Sequence, residues 1–449
     1  MNKILKISAA IGILLLISVY GYLQFREYRS YQNRIHKDAD LVFKLNLDGL
    51  FKTMSADFIS NPAYYLTESK KDSTDHKKEG SSSRGISLPA NIFIYTLHSR
   101  SAGTYFCLLP VADSLDLKRY LQRVFKLNAF NKTAEGSVTG ISADQKLTVM
   151  YNAEHLAMAY SFQKENVTDV LHDLLAQKNM MPDSDPKIKV LKDIKGHLSW
   201  NVSTYSGSLN FKDGLAEIDS TFPIADLGVP DQGAYRNSFA ADANLKVWLN
   251  ANLRGIIKHK DLNFKDFSLQ SDSLLKYWGY TALELRKNIT QKDSVITYEY
   301  NDDFEKVATK TAKEVTVPHL RLSIGAGNAS GLLRYLQEKN IINGSDQLNK
   351  QFFPLYQVFT SVQDDALQLS TMEKDSFSAE LKSSPYFFFA EADLSSIKKQ
   401  QQFPLLTSYL GPFTHLKLRA TKIDVKNGHL QGQIDFQKKN INAFSQLIK

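Results

Sequence analysis

The chain has 449 residues, 43% hydrophobic and 23% charged, and its 55 Lys and Arg against 47 Asp and Glu give a formal charge of +8. That length supports two or three domains with large cores, but the basic residues are dispersed. The densest cluster, Lys70 to Lys78, is broken by Asp72 and Asp75, which excludes the concentrated basic stripe of a nucleic-acid partner. Cys107 is the only cysteine, so an intrachain disulfide, a thiolate metal cage and a CxxC redox pair are excluded. Within the apolar run Tyr105 to Val111 it reads as a small buried hydrophobe. The 26 Phe and 21 Tyr favour sheet-rich structure.

Taken in order, the first strong signal is Ile7 to Phe25, which contains no charged residue. As a helix it would span about 28 Å, close to the hydrocarbon thickness of a bilayer. Lys3 and Lys6 precede it, Tyr20, Tyr22 and Phe25 sit where an interfacial aromatic belt would, and no small-x-small cleavage site or acylation cysteine follows. The expectation is an uncleaved transmembrane signal anchor at 7–25, with 1–6 as a cytoplasmic tail and 26–36 as a stalk. Arg26, Arg29, Arg34 and Lys37 oppose that orientation under the positive-inside rule. Long domains translocate largely regardless of charge, so the bulk of the chain is placed on the periplasmic side of the inner membrane.

A first α+β lobe is expected over 37–180. In KDADLVFKLNLDGLFK, Lys37 to Lys52, Leu41, Phe43, Leu45 and Leu47 alternate with Val42, Lys44 and Asn46, the pattern of a strand with one buried face. Asp48 offers a cap for a helix near Leu50 to Ile59. Glu68 to Gly85 has no apolar residue and reads as a disordered loop. Strands follow at Asn91 to Leu97 and Thr104 to Val111, then a helix at Leu115 to Phe125 capped by Asp113 or Ser114. A hairpin joins Lys146 to Tyr151 with His155 to Phe162, and a helix spans Val167 to Gln177, with Val167, Val170, Leu171, Leu174 and Leu175 on one face. Residues 181–241 read as a connector and hairpin turning at Lys212-Asp213-Gly214.

The second lobe, 242–449, opens on ANLKVWLNANLRGII from Ala243, which resembles the first strand unit; a third instance starts at Pro385. Helices are expected at Ser271 to Asn288 and Asp303 to Lys313, strands at Ser294 to Tyr300 and His319 to Ile324, and a helix at Gly331 to Asn340. An insertion at about 340–384 holds a helix-like stretch from Phe352 and a strand near Ala366 to Leu369. Strands Leu416 to Val425 and His429 to Phe436 flank Asn427-Gly428, a strong hairpin signal, and a helix covers Ile441 to Ile448. Three ordered matches suggest duplication: Leu45-Asn46 with Leu249-Asn250, Arg119 to Gln122 with Arg334 to Gln337 (both RYLQ), and Phe162 to Lys164 with Phe436 to Lys438 (both FQK).

The run Lys37 to Val42 leading into LNLDGL resembles the opening of uncharacterised, internally duplicated envelope proteins of Bacteroidota. The resemblance implies an envelope location and a duplicated α+β fold. It implies no catalytic residues.

No HExxH, GxSxG or GxxxxGK[ST] signature is present, and the ten His are scattered. Gly325 to Gly331, GAGNASG, has the wrong spacing for a dinucleotide fingerprint and reads as a capped helix start. Asp302-Asp303 and Asp364-Asp365 read as helix starts or surface. No catalytic, cofactor-binding or metal-ligating residue is assigned, and no cofactor. The expectation is a non-enzymatic, single-pass membrane protein of the envelope that binds a protein or ligand. The alternatives are a carrier for a lipid or other apolar molecule, as the aromatic strands suggest, and an envelope hydrolase whose site is assembled from distant residues.

Overall fold

The computed structural model describes residues 2–67, 84–127, 129–133, 136–230, 235–257, 259, 261–264, 266–300, 304–375 and 381–448. The expected loop Glu68 to Gly85, except Arg84 and Gly85, and the pair Asp302-Asp303 lie outside the described residues, as do the side chains up to residue 16. The fold is α+β with antiparallel sheet throughout, in two compact units: 1–213 with 440–449, and 214–439.

The first unit opens with helix α1 (Asn2–Tyr31). Among the described residues no helix is long and apolar enough to cross a membrane. The part of 26–36 expected as a stalk instead enters the core: Tyr31 is 2% exposed and Ile35 1%. Next come β1 (Ala39–Asn46), α2 (Leu47–Ser60), β2 (Asn91–Leu97), β3 (Thr104–Pro110) and α3 (Ser114–Val124). Strands β4 (Ala129–Lys132), β5 (Val138–Ile141), β6 (Leu147–Tyr151) and β7 (His155–Ser161) follow, then α4 (Thr168–Leu175), α5 (Pro186–Asp193), β8 (Leu198–Val202) and β9 (Tyr205–Lys212). The strands pair in the order β9-β8-β1-β2-β3-β7-β6-β5-β4, every pair antiparallel. Tyr31, Val42, Phe93, Tyr95, Phe106, Leu171, Leu174 and Leu191 form the main core. Each fully buried aliphatic side chain there contributes about 1.5–3 kcal/mol.

Two expectations for the opening unit are corrected. The α2 cap is Asn46, whose side chain accepts from Gly49 N at 2.8 Å; Asp48 lies in the first helical turn, where its charge suits the helix dipole. Beyond Ala39 at its start, the fully buried side chains of β1 are Val42 and Lys44, on the face opposite Leu41, Phe43 and Leu45, which are only half-buried. With β2 and β8 on either side, β1 is a central strand, and both its faces are covered. Lys44 can point inward because its ammonium reaches Leu191 O and, at 2.8 Å, Ile194 O, carbonyls at the end of α5. It thereby satisfies acceptors that a helix terminus leaves open.

The second unit comprises β10 (Leu215–Pro223), β11 (Tyr235–Asn237), β12 (Leu245–Asn250), α6 (Arg254–Ile257), β13 (Asp261–Phe264), β14 (Phe267–Gln270) and α7 (Ser271–Leu275). It continues with β15 (Trp278–Tyr300), β16 (Lys306–Ala326), α8 (Ala329–Glu338), β17 (Phe359–Gln363), β18 (Ala366–Ser370) and β19 (Leu381–Ser383). Last come β20 (Phe388–Asp393), α9 (Leu394–Gln400), α10 (Pro404–Tyr409), β21 (Phe413–Lys422) and β22 (Asn427–Phe436). Its main sheet runs β10-β22-β21-β20-β12-β15-β16-β18-β17, again wholly antiparallel.

Three expected helices are strands or ordered loop. Of 271–288 only 271–275 is helical, as α7, and 278–288 is β15; 306–313 belongs to β16, and the stretch from Phe352 ends in β17. β-Branched Val, Ile and Thr residues recur through 289–317, and they favour strand once a partner strand is in register. The expected hairpin of β21 and β22 is present, though its turn is 423–426 and Asn427-Gly428 already belong to β22, and the expected strand at 366–369 is present.

Seven consecutive strands of each sheet run alike. The order β9-β8-β1-β2-β3-β7-β6 in the first unit matches β21-β20-β12-β15-β16-β18-β17 in the second. Leu45-Asn46 and Leu249-Asn250 close the equivalent strands β1 and β12, and the two RYLQ runs lie in α3 and α8, which follow the equivalent β3 and β16. The FQK runs do not correspond: one follows β7, the other β22, which falls outside the shared order.

Candidate functional site

Tyr22, Phe25, Arg26 and Arg29 recur at intervals of three and four along α1, which gathers them on one helix face. Opposite them, 87–90 and Pro110 complete the wall of an open cavity of about 230 Å3, and Arg34 lines it from beyond the helix end. All these residues belong to the first unit.

The three arginines differ in how they are satisfied. Arg26 makes a two-pronged contact with Asp48, Nη2 to Oδ1 at 2.9 Å and Nε to Oδ2 at 3.3 Å, and Nη2 also donates to Leu88 O at 3.2 Å. Its charge is matched. Arg29 lies over the Phe25 ring at 5.7 Å and forms no ion pair among the described residues. Arg34 is half-buried, and its Nε and Nη1 are screened from water without a hydrogen-bond partner. Burial, and then the neighbouring Arg29 charge, pull the Arg34 guanidinium below its ordinary pKa. Ser30 is already engaged: its Oγ donates to Glu27 O and accepts from Asn91 Nδ2 at 2.8 Å. The cavity therefore presents two cationic groups with open donors beside two aromatic rings. Sequence reasoning weighed these arginines only for membrane orientation. The usable signal was the 22, 25/26, 29 spacing that continues the apolar helix.

Cys107 is half-buried rather than fully buried. Burial pushes its thiol up to about 12, against the opposing charge of Arg34, so it is not a thiolate nucleophile at neutral pH.

A second constellation lies inside the second unit. Glu284 on β15, Arg321 on β16 and Ser370 on β18 are direct cross-strand neighbours. Asp375 closes the group, and its Oδ2 lies 2.8 Å from His319 Nε2, 2.7 Å from Ser370 Oγ and 3.1 Å from Arg321 Nε. Burial raises the Asp375 pKa, but hydrogen bonds from His319 and Ser370 and the Arg321 charge together hold it below the usual carboxylate range. Serine and histidine both contact the carboxylate rather than each other, which differs from the serine–histidine–carboxylate order of a nucleophilic triad. This geometry ties three strands and the 371–375 turn together.

The remaining sequence candidates are structural. Gly325 lies under Tyr280, where an added Cβ would meet the ring at 2.1 Å, and Asn328 caps α8 through Gly331 N at 2.8 Å. Asp364-Asp365 forms the turn between β17 and β18, with Asp364 at φ 52°. Among the described residues no three His, Cys, Asp or Glu side chains are grouped to hold a metal ion.

No family model matches the chain, and no curated protein matches it. Among solved structures, the chain in crystal form III of TP0453 overlaps 74% of this chain and 89% of its own length, at 11% identity and a TM-score of 0.23. The chain in crystal form I of TP0453 gives 74% and 87%, at 9% identity and the same TM-score of 0.23.

Proposed function

We propose that this chain is a non-enzymatic envelope protein, held at a bilayer by the apolar part of α1, whose two related α+β lobes form a binding module. The observation that carries this reading is the arginine and aromatic cavity at the foot of α1. It directly continues the charge-free run Ile7 to Phe25, where aromatic and basic side chains meet a membrane–water boundary. The shared order of seven strands supports duplication, and the Bacteroidota resemblance supports an envelope location. The Asp375 group supports a non-enzymatic role, since its polar atoms are engaged in tying strands together.

Carbonate extraction of membranes containing the full chain, together with a C-terminal alkaline phosphatase fusion, tests the anchor and its orientation. The expected result is retention in the membrane pellet with an active fusion. Release into the supernatant would overturn the anchor, and an inactive fusion would overturn the orientation. Reproducible turnover in an esterase, phosphatase and glycosidase screen would overturn the non-enzymatic assignment.

A further inference from the structure

We infer that the cavity lined by Arg29 and Arg34 is a site for the phosphate of an anionic phospholipid headgroup. The inference rests on α1 lying in a bilayer and adds the ligand class. A guanidinium with buried, unmatched donors is unfavourable unless an anion completes it. Arg34 is in that position, and the strongest charge acting on it among the described residues is that of another cation, Arg29. The carboxylate of Asp48 is engaged by Arg26. Two arginines with open donors match the oxygens of a phosphate, and such charge-assisted bonds are among the stronger ones.

The position along α1 selects the source of that phosphate. Arg29 lies four residues beyond Phe25 in one continuous helix, a rise of about 6 Å. If the apolar run ends at the hydrocarbon boundary, Arg29 falls within the headgroup layer, roughly 5–7 Å thick on each side. Tyr22 and Phe25 offer apolar surface for the glycerol and upper acyl segments. A free phosphate would need only the cations; a phospholipid uses the rings as well.

The test is native mass spectrometry of the full chain released from nanodiscs of phosphatidylcholine mixed with phosphatidylglycerol. The expected result is preferential retention of phosphatidylglycerol, reduced about tenfold by the double variant R29Q/R34Q and unchanged by R119Q on the exposed side of α3. R34K keeps the charge but loses the fork, so it should retain part of the preference, and thermal melting of each variant confirms that the fold is intact. Equal retention of both lipids, or loss of preference in R119Q, would overturn the site while leaving the anchor standing. Inorganic phosphate that displaces the lipid with the same arginine dependence and binds as well without it would overturn the lipid as source. Carbonate release of the chain would overturn the anchor and this assignment with it.

Discussion

Asn46 and Asn250 occupy the same place in the two units. Each ends a central strand and donates its backbone N–H to the residue before the strand alongside, His197 O at 2.8 Å and Phe387 O at 2.7 Å. Two residues earlier stand Lys44 and Trp248, both buried. In the first unit the covering element is the end of α5, which offers carbonyl oxygens, and a lysine reaches them. In the second, Trp248 packs with Tyr280 at 4.9 Å between centroids, beside Phe389 and Phe239. Its indole N–H finds no acceptor among the described residues. A sheet position fixes which way a side chain points, and the covering element decides whether an ammonium or an aromatic ring is stable there.

The comparison can be broken by substitution. Trp248→Ala should cost about 4 kcal/mol, because a large ring leaves a cavity that its neighbours only partly fill. Trp248→Phe should cost clearly less, since the N–H it removes is unpaired; urea unfolding of both variants checks the order. Lys44→Met keeps the packed stem but strands two helix-end carbonyls, at about 2 kcal/mol. Slower-protected amides of α5 should then exchange faster in hydrogen–deuterium exchange. If Lys44→Met were the costlier change, the contrast between the two positions would be wrong. Asn46→Ala removes only the α2 cap, at about 1 kcal/mol, and should loosen exchange in α2 alone.

The smallest difference at neutral pH becomes visible on acidification. Burial first holds His36, His155 and His197 below the ordinary value of 6.5, with the Arg34 charge adding to the effect at His155 and Asp38 opposing it at His36. His197 has a clear reason: its Nδ1 accepts from Phe211 N at 3.0 Å while Nε2 faces Thr53 Oγ1 at 2.9 Å, an arrangement for neutral imidazole. The folded first unit thus binds fewer protons than the unfolded chain. The stability from these groups is present above about pH 6.5 and declines as pH falls through it. Asp375 in the second unit is depressed below 3.8, so its contribution is lost only below that pH. Exchange measured near pH 5 should loosen first-unit peptides before second-unit ones. Toward alkaline pH the sign reverses for Lys44, which burial, then the Lys195 charge, lower from 10.5 to about 8. Its burial penalty is full below about pH 8 and fades toward 10.5, so first-unit stability should gain from that side chain across this window.

Much of the fold was legible because it rests on local rules. The strand pattern at Asn91, the hairpin of β21 and β22, the apolar face of α4 and the Asp113 cap each depend on residues close in sequence. The face of β1 was not legible, because Lys44 becomes an inward residue only when α5, about 150 positions later, supplies its acceptors. The first part of β16, 306–313, reads as a helix until β15 lies beside it, whereas its 319–324 part already reads as a strand. The cavity was hidden for a related reason: Arg26, Arg29 and Arg34 look alike in sequence, and only Asp48 and Leu88 O separate the matched one from the others.

The first unit is also not contiguous. Asp57 in α2 accepts from Asn61 Nδ2 at 2.7 Å and from the backbone N–H of Asn442 at 2.7 Å, 385 positions away, and Tyr65 reaches the same carboxylate. Residues 214–439, by contrast, form one uninterrupted stretch. During synthesis the later-made unit holds all its strands before the earlier-made one is complete. The first unit must wait, with α2 lacking the partner that seals it, until residue 442 has emerged. Holdase protection of that waiting segment, and a folding rate for the first unit limited by the delivery of 440–449, follow from that order.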